Sequence, residues 1–302
     1  MQENKNHTKI FQQFYITEEP MSEKIPTLAF QPPTLFRACG SSNFADPPSD
    51  LLLASPSSTA PSFDLCPLAT FPGPAFPYRI MDCTYPLHPD IPSWEGGCGF
   101  HQTTEVQYDG GSQFCLQNIA MRSGMGTHLD APAHCIPGGM TADNIVPDQW
   151  ISPCVVIDVS EMAHAAYQVS TEDILDFEGK YGPISEGTFV MVHTGWGRFW
   201  PNSTAYRNDL RFPTVGLRAA QFLLARNISG IGVDTLSPDG PDTGFPVHHA
   251  ILGAGKYIVE NVAHMEKIPP IGTWIAVVPM HVRGSCEVPV RLFTMVPKGD
   301  LV

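Results

Sequence analysis

Between Gly124 and His134 the chain reads GMGTHLDAPAH, which puts two histidines and an aspartate within seven positions. In an extended segment successive side chains point to opposite faces, so His128 and Asp130 project to one side and can grip a single cation. Gly124 and Gly126 let the backbone turn sharply or approach a ligand closely, and Pro132 stiffens the exit toward His134. Ala131 and Ala133 leave room beside the imidazoles. A histidine near an aspartate is more often a structural hydrogen bond than a ligand pair, so the spacing alone leaves both readings open.

Such a cluster needs a scaffold. The chain has 302 residues, 43% hydrophobic and 16% charged, enough apolar matter for a substantial core. Its formal net charge of −13 repels phosphate backbones and anionic lipid, which excludes nucleic acid and membrane surfaces as expected partners. No run of about 18 apolar residues suggests a membrane span. The first twenty residues lack the apolar stretch of a secretory signal, so the expected location is cytoplasmic. Eight cysteines (39, 66, 83, 98, 115, 135, 154 and 286) form no C-x-x-C pair and are expected to be mostly buried thiols.

Residues 1–75 are rich in proline and serine and poor in periodicity, which predicts a flexible N-terminal extension. Residues 76–302 read as one catalytic domain. β-branched apolar runs at 154–160, 188–195, 228–235, 273–282 and 290–297 predict buried strands. LRAAQFLLARN (217–227) has helical spacing, and STEDILDF (170–177) opens with a hydroxyl cap followed by acids, the expected start of a helix. Strands mixed with helices predict an α/β architecture.

GTHLDAPAH closely resembles the H-x-G-T-H-x-D-x-P-x-H signature of the metal-dependent cyclase family, which includes bacterial kynurenine formamidases and isatin hydrolases. The resemblance runs from about Tyr78 to Val296. MDCTYPLHPDIPSWEGG (81–97), VHTGW (192–196), GIGVDTLSPDG (230–240), FPVHHAILGAGKYIVENV (245–262) and PVR (289–291) follow in family order. The resemblance implies the swivelling β/β/α fold and a homo-oligomer, dimer or tetramer. It implies that His128, Asp130, His248 and Glu260 bind metal and that His134 acts as acid and base. His249 falls at a position the family fills with other residues, so His248 is the expected ligand. On one unbroken helix His248 and Glu260 would stand about 120 degrees and about 18 Å apart, so they can share an ion only if the chain turns between them, as Gly253 and Gly255 permit.

One position departs from the signature, whose first histidine falls at Gly124. Three outcomes stay open: one ion held by the four remaining ligands, substitution by a nearby group such as His101 or His193, or a catalytically silent binding module. Nitrogen and oxygen donors suit zinc or manganese without separating the two. Either would lower the pKa of water from about 15.7 toward about 7, and His134 would carry a proton from nucleophile to leaving nitrogen. Cys135 adjoins His134, but neighbours on an extended segment face opposite ways, which disfavours a Cys-His nucleophile. The implied substrate is a small aromatic amide, an aryl formamide such as N-formylkynurenine or else a cyclic amide such as isatin. Trp94, Phe100, Trp196, Trp200 and Phe212 are candidates for stacking on it, and Arg198 and Arg211 for binding a carboxylate.

Overall fold

The computed structural model describes residues 76–298 except 109, 110 and 242, so the expected extension over 1–75 lies outside the described residues. The strands in chain order are β1 (Tyr78–Asp82), β2 (Phe100–Val106), β3 (Leu116–Met121), β4 (His128–Asp130), β5 (Ile151–Asp158), β6 (Gln168–Val169), β7 (Phe189–His193), β8 (Thr214–Val215), β9 (Gly230–Val233), β10 (Tyr257–Glu260), β11 (Thr273–Pro279) and β12 (Glu287–Pro297). The α-helices are α1 (Thr171–Tyr181), α2 (Ser203–Arg207), α3 (Leu217–Ala225) and α4 (Pro246–Gly253).

The main sheet runs β1-β12-β11-β5-β7-β9-β10-β4, and β4 pairs back onto β12. Seven strands therefore close on themselves as a mixed barrel, with β1 outside the ring. Closure is possible because β12 is long: one edge pairs with β4 through Glu287–Pro289 and with β1 through Phe293–Pro297. The pairs β5–β7, β7–β9 and β9–β10 are parallel, and the rest of the barrel is antiparallel.

Strand periodicity divides the packing. Residues pointing inward, among them Leu129, Phe189, Met191, Val259, Ile275, Val277, Val288 and Leu292, form one apolar core. Residues one position away on the parallel strands, such as Val190, Val192, Ile231, Val233 and Ile258, pack outward against α1, α3 and α4. The architecture is mixed α/β, as expected. Helix α1 starts as its sequence predicts: the Ser170 side chain accepts from the Asp173 amide, and the Asp173 carboxylate accepts from the Ser170 amide. It runs on to Tyr181 and ends at Gly182. The strand expected at 273–282 stops at Pro279.

The structure adds an exposed ribbon, β2 with β3, that the polar text of these segments did not signal. Among the described cysteines only Cys83 and Cys154 are buried. Cys98, Cys135 and Cys286 are half-buried and Cys115 is exposed, which corrects the expectation of mostly buried thiols. No described helix is long and apolar enough to cross a membrane.

Candidate metal centre

β4 is only three residues long, yet both neighbours are strands that carry an acid on the same outward face. Across the β10 ladder Glu260 stands opposite His128, and across the β12 ladder Glu287 stands opposite Asp130. Directly opposed residues in antiparallel strands project to the same side. Leu129 between them points inward and is fully buried. The fourth wall is α4, whose first turn presents His248. The chain turns between His248 and Glu260 as required: α4 ends at Gly253, Gly255 adopts φ +73, and β10 begins at Tyr257. His249 faces solvent.

The structure thus brings His128, Asp130, His248 and Glu260 together, all buried. His128 Nε2 lies 3.5 Å from Asp130 Oδ1 and 3.3 Å from Glu260 Oε2. His248 Nε2 lies 3.6 Å from Asp130 Oδ2 and 3.3 Å from Glu260 Oε1. Ligands about 2.0–2.2 Å from one tetrahedral ion stand about 3.3–3.6 Å apart, so these separations are compatible with donors that share a cation. Asp130 supplies an independent test. It is 1% exposed, and neither carboxylate oxygen has a hydrogen-bond partner. A buried carboxylate without hydrogen bonds costs several kcal/mol unless a positive charge compensates it, so a divalent cation fits here.

A further layer fixes the direction of both imidazoles. His128 Nδ1 donates to the Gly126 carbonyl at 2.9 Å, and His248 Nδ1 donates to Asp239 Oδ2 at 2.8 Å, which leaves each Nε2 aimed at the carboxylates. Asp239 also caps α4, accepting from the Val247 and His248 amides. Asn261 Nδ2 donates to the Gly126 carbonyl from the other side, and its own carbonyl accepts from the Thr127 hydroxyl. Burial alone would lower the His128 pKa, but Asp130 and Glu260 overcome it and push the value up to about 10. Burial likewise opposes the charge on His248, yet Asp130, Asp239 and Glu260 raise it to about 12. Asp130, despite burial, is held below the usual carboxylate value by the two histidines. A cation therefore competes with protons for the same lone pairs.

The cluster opens into a cavity of about 470 Å³, lined also by Trp94, Arg122, His134, Cys135, Phe245 and Glu287. His134 stands on its rim with its side chain 30% exposed, its ring centroid 5.7 Å from that of His248. Burial raises the Cys135 thiol above its usual pKa, against a thiolate nucleophile. Trp94 and Phe245, 6.0 Å apart between centroids, make an aromatic wall beside His248. Of the other aromatic candidates, Phe100, Trp196, Trp200 and Phe212 are buried together in a core cluster and do not line the cavity. Arg198, whose guanidinium binds the Gly195 carbonyl, and Arg211 also lie off the cavity lining. So do His101 and His193, the latter 3.0 Å from Asp158, and neither replaces the histidine absent at Gly124. Residues that the sequence did not single out are Glu287, Asp239, Asn261, Arg122 and Phe245.

A closed barrel with two imidazoles and three carboxylates gathered on the outer face of its short strand defines the class of this protein. Residues 81–240 match the family described as Putative cyclase, and the chain belongs to that family. The matched span holds His128, Asp130, His134 and Asp239, whereas His248, Glu260 and Glu287 lie beyond it. The isatin hydrolase of Roseibium aggregatum is 27% identical over 245 residues, 73% of this chain and 93% of that protein. The kynurenine formamidase of Erythrobacter litoralis is 27% identical over 193 residues, 63% of this chain and 82% of that protein. A solved structure of isatin hydrolase A from Labrenzia aggregata bound to benzyl benzoate matches with a TM-score of 0.67 at 30% identity, covering 73% of this chain and 94% of that one.

Proposed function

We propose that this protein is a metal-dependent hydrolase that cleaves the carbon–nitrogen bond of a small aromatic amide. His128, Asp130, His248 and Glu260 are the metal ligands, for zinc or manganese. The observation that carries this is Asp130, a buried carboxylate whose two unpartnered oxygens face two imidazoles already turned toward it. A bound divalent cation would supply Lewis acidity to the amide carbonyl and make water nucleophilic near neutral pH.

The protein's own groups do the rest. His134 takes a proton from the nucleophile and delivers it to the departing nitrogen, from a rim position that faces both the cluster and the cavity. Trp94 and Phe245 receive a flat ring, and the Arg122 guanidinium, which pairs with Glu95, stands on the cavity lining where a polar substituent would meet it. The relative that binds benzyl benzoate shows an aromatic ligand held by a protein of this family, which supports the ring assignment.

Isatin, a cyclic amide, is the first substrate to test, because the isatin hydrolase relatives align over more of this chain than the formamidase does. N-formylkynurenine, an aryl formamide, is the second. Protein stripped with a chelator and reloaded with manganese or zinc is expected to hydrolyse one of them, with turnover lost in His128→Ala and in His134→Ala. Protein that binds neither metal, or binds metal without turning over either compound, contradicts the proposal. The first result matches the silent binding module that Gly124 suggested, and the second a purely structural metal site.

Helices packed on one side of a closed sheet support the swivelling β/β/α arrangement. Exposed Phe114, Leu116 and Ile119 on and beside β3 support self-association as a dimer or tetramer. The mass of the protein in solution tests this.

A further inference from the structure

We propose that Glu287 is a metal ligand that takes over the space of a side chain at position 124, completing a second cation position from His128, Asp130 and Glu287. The first position is formed by Asp130, His248 and Glu260, and Asp130 bridges the two. The inference rests on the reading of this cluster as a metal centre.

Five observations support it. Donor atoms of His128, Asp130 and Glu287 lie within 4.8 Å of one another, as do those of Asp130, His248 and Glu260, so two groups share one carboxylate. Asp130 is oriented for that role, since Oδ1 faces His128 while Oδ2 faces His248, and both oxygens are buried without a hydrogen bond. The β12–β4 register then places Glu287 directly across from Asp130 on the outward face. Ser123 donates to Glu287 Oε2 at 3.1 Å, which leaves Oε1 toward the cluster, 3.7 Å from His134 Nδ1.

The fifth observation explains the glycine. A Cβ built on Gly124 would meet Glu287 Oε1 at 2.6 Å and stand 3.4 Å from His128 Nε2. Any side chain there would therefore displace the Glu287 carboxylate from beside the His128 nitrogen. Glycine at 124 and glutamate at 287 form a matched pair, and the donor is delivered by β12 instead of by the turn before β4. One imidazole and two carboxylates make a harder donor set than two imidazoles and a carboxylate would, so the second position is expected to favour zinc over manganese by a smaller margin.

Calorimetric titration of chelator-stripped protein with Mn²⁺, and separately with Zn²⁺, tests this, with elemental analysis giving the stoichiometry. Wild type is expected to bind two Mn²⁺ per chain. Glu287→Gln is expected to bind one, the second affinity falling by more than the ~10–100-fold typical of losing an outer partner of a metal site. The exchange variant Gly124→His with Glu287→Ala is expected to recover the second ion with its preference moved toward zinc. A single ion in wild type, or two in Glu287→Gln with unchanged affinities, overturns the role of Glu287 and leaves the first position standing. No ion in wild type overturns both.

Discussion

The two faces of β4, β10 and β12 make opposite use of the same three strands. Inward, Leu129, Val259 and Val288 are at most 1% exposed and belong to the apolar barrel core. Outward, one residue away, stand His128, Asp130, Glu260 and Glu287. A strand reverses its side chains at every step, so a barrel wall can be solid hydrocarbon on one side and a concentrated charge on the other with no change of backbone. The difference teaches that stability and chemistry are assigned here by register. The hydrocarbon face holds the strands in the alignment that brings the charged face together.

Substitutions at neighbouring positions should separate the two roles. The largest effect is expected from Asp130→Asn, which weakens the bridging ligand of both cation positions. Metal affinity and turnover should each fall by more than the ~10–100-fold of an outer partner, while the melting temperature of the metal-free protein changes little by comparison. Leu129→Ala, one residue away, should do the reverse. It removes a fully buried side chain and should cost about 2–5 kcal/mol in denaturant unfolding, with donor geometry conserved in whatever fraction stays folded. Equal losses of metal affinity in both variants would break the division between the faces.

A smaller change should follow from Asp239→Asn, which keeps the shape of the residue that orients His248 and caps α4. Metal affinity should drop ~10–100-fold, with the first position losing more than the second. Protonation offers the mildest probe. The raised pKa values of His128 and His248 mean that their contribution to the stability of the metal-free protein is fully present below the ordinary histidine value. It is lost as pH rises through about 10 and then about 12. The melting temperature of stripped protein should therefore decline on the alkaline side, and metal-loaded protein should not follow it there. At neutral pH, titration with metal in buffers of different ionisation enthalpy should reveal proton release. A stripped protein whose melting point rises steadily past pH 10 would contradict the assigned charge states.

Much of the site was legible because its signals are local. The two-residue spacing of His128 and Asp130 carries its meaning only in extended backbone, and β4 provides it. The geometric need for a turn between His248 and Glu260 pointed to Gly253 and Gly255, where α4 ends and the chain reverses. The hydroxyl cap at Ser170 and the apolar strands were visible for the same reason. Glu287 was not, because nothing within reach of it in the sequence marks it as a ligand. Its role follows from pairing with Asp130 across the barrel seam, a contact between residues more than 150 positions apart. Asp239 likewise acts through α4, nine residues ahead of His248. The aromatic residues failed in the opposite direction: Trp196, Trp200 and Phe212 sit in segments near the site, but composition does not distinguish a ring that lines a cavity from one buried behind it.

The most direct test is a crystal structure of manganese-loaded protein with anomalous data collected at the manganese edge. The expected result is a peak about 2.0–2.2 Å from Asp130, His248 and Glu260, with a second beside His128 and Glu287. A loaded crystal with no peak against Asp130 would contradict the assignment of this face as a metal centre.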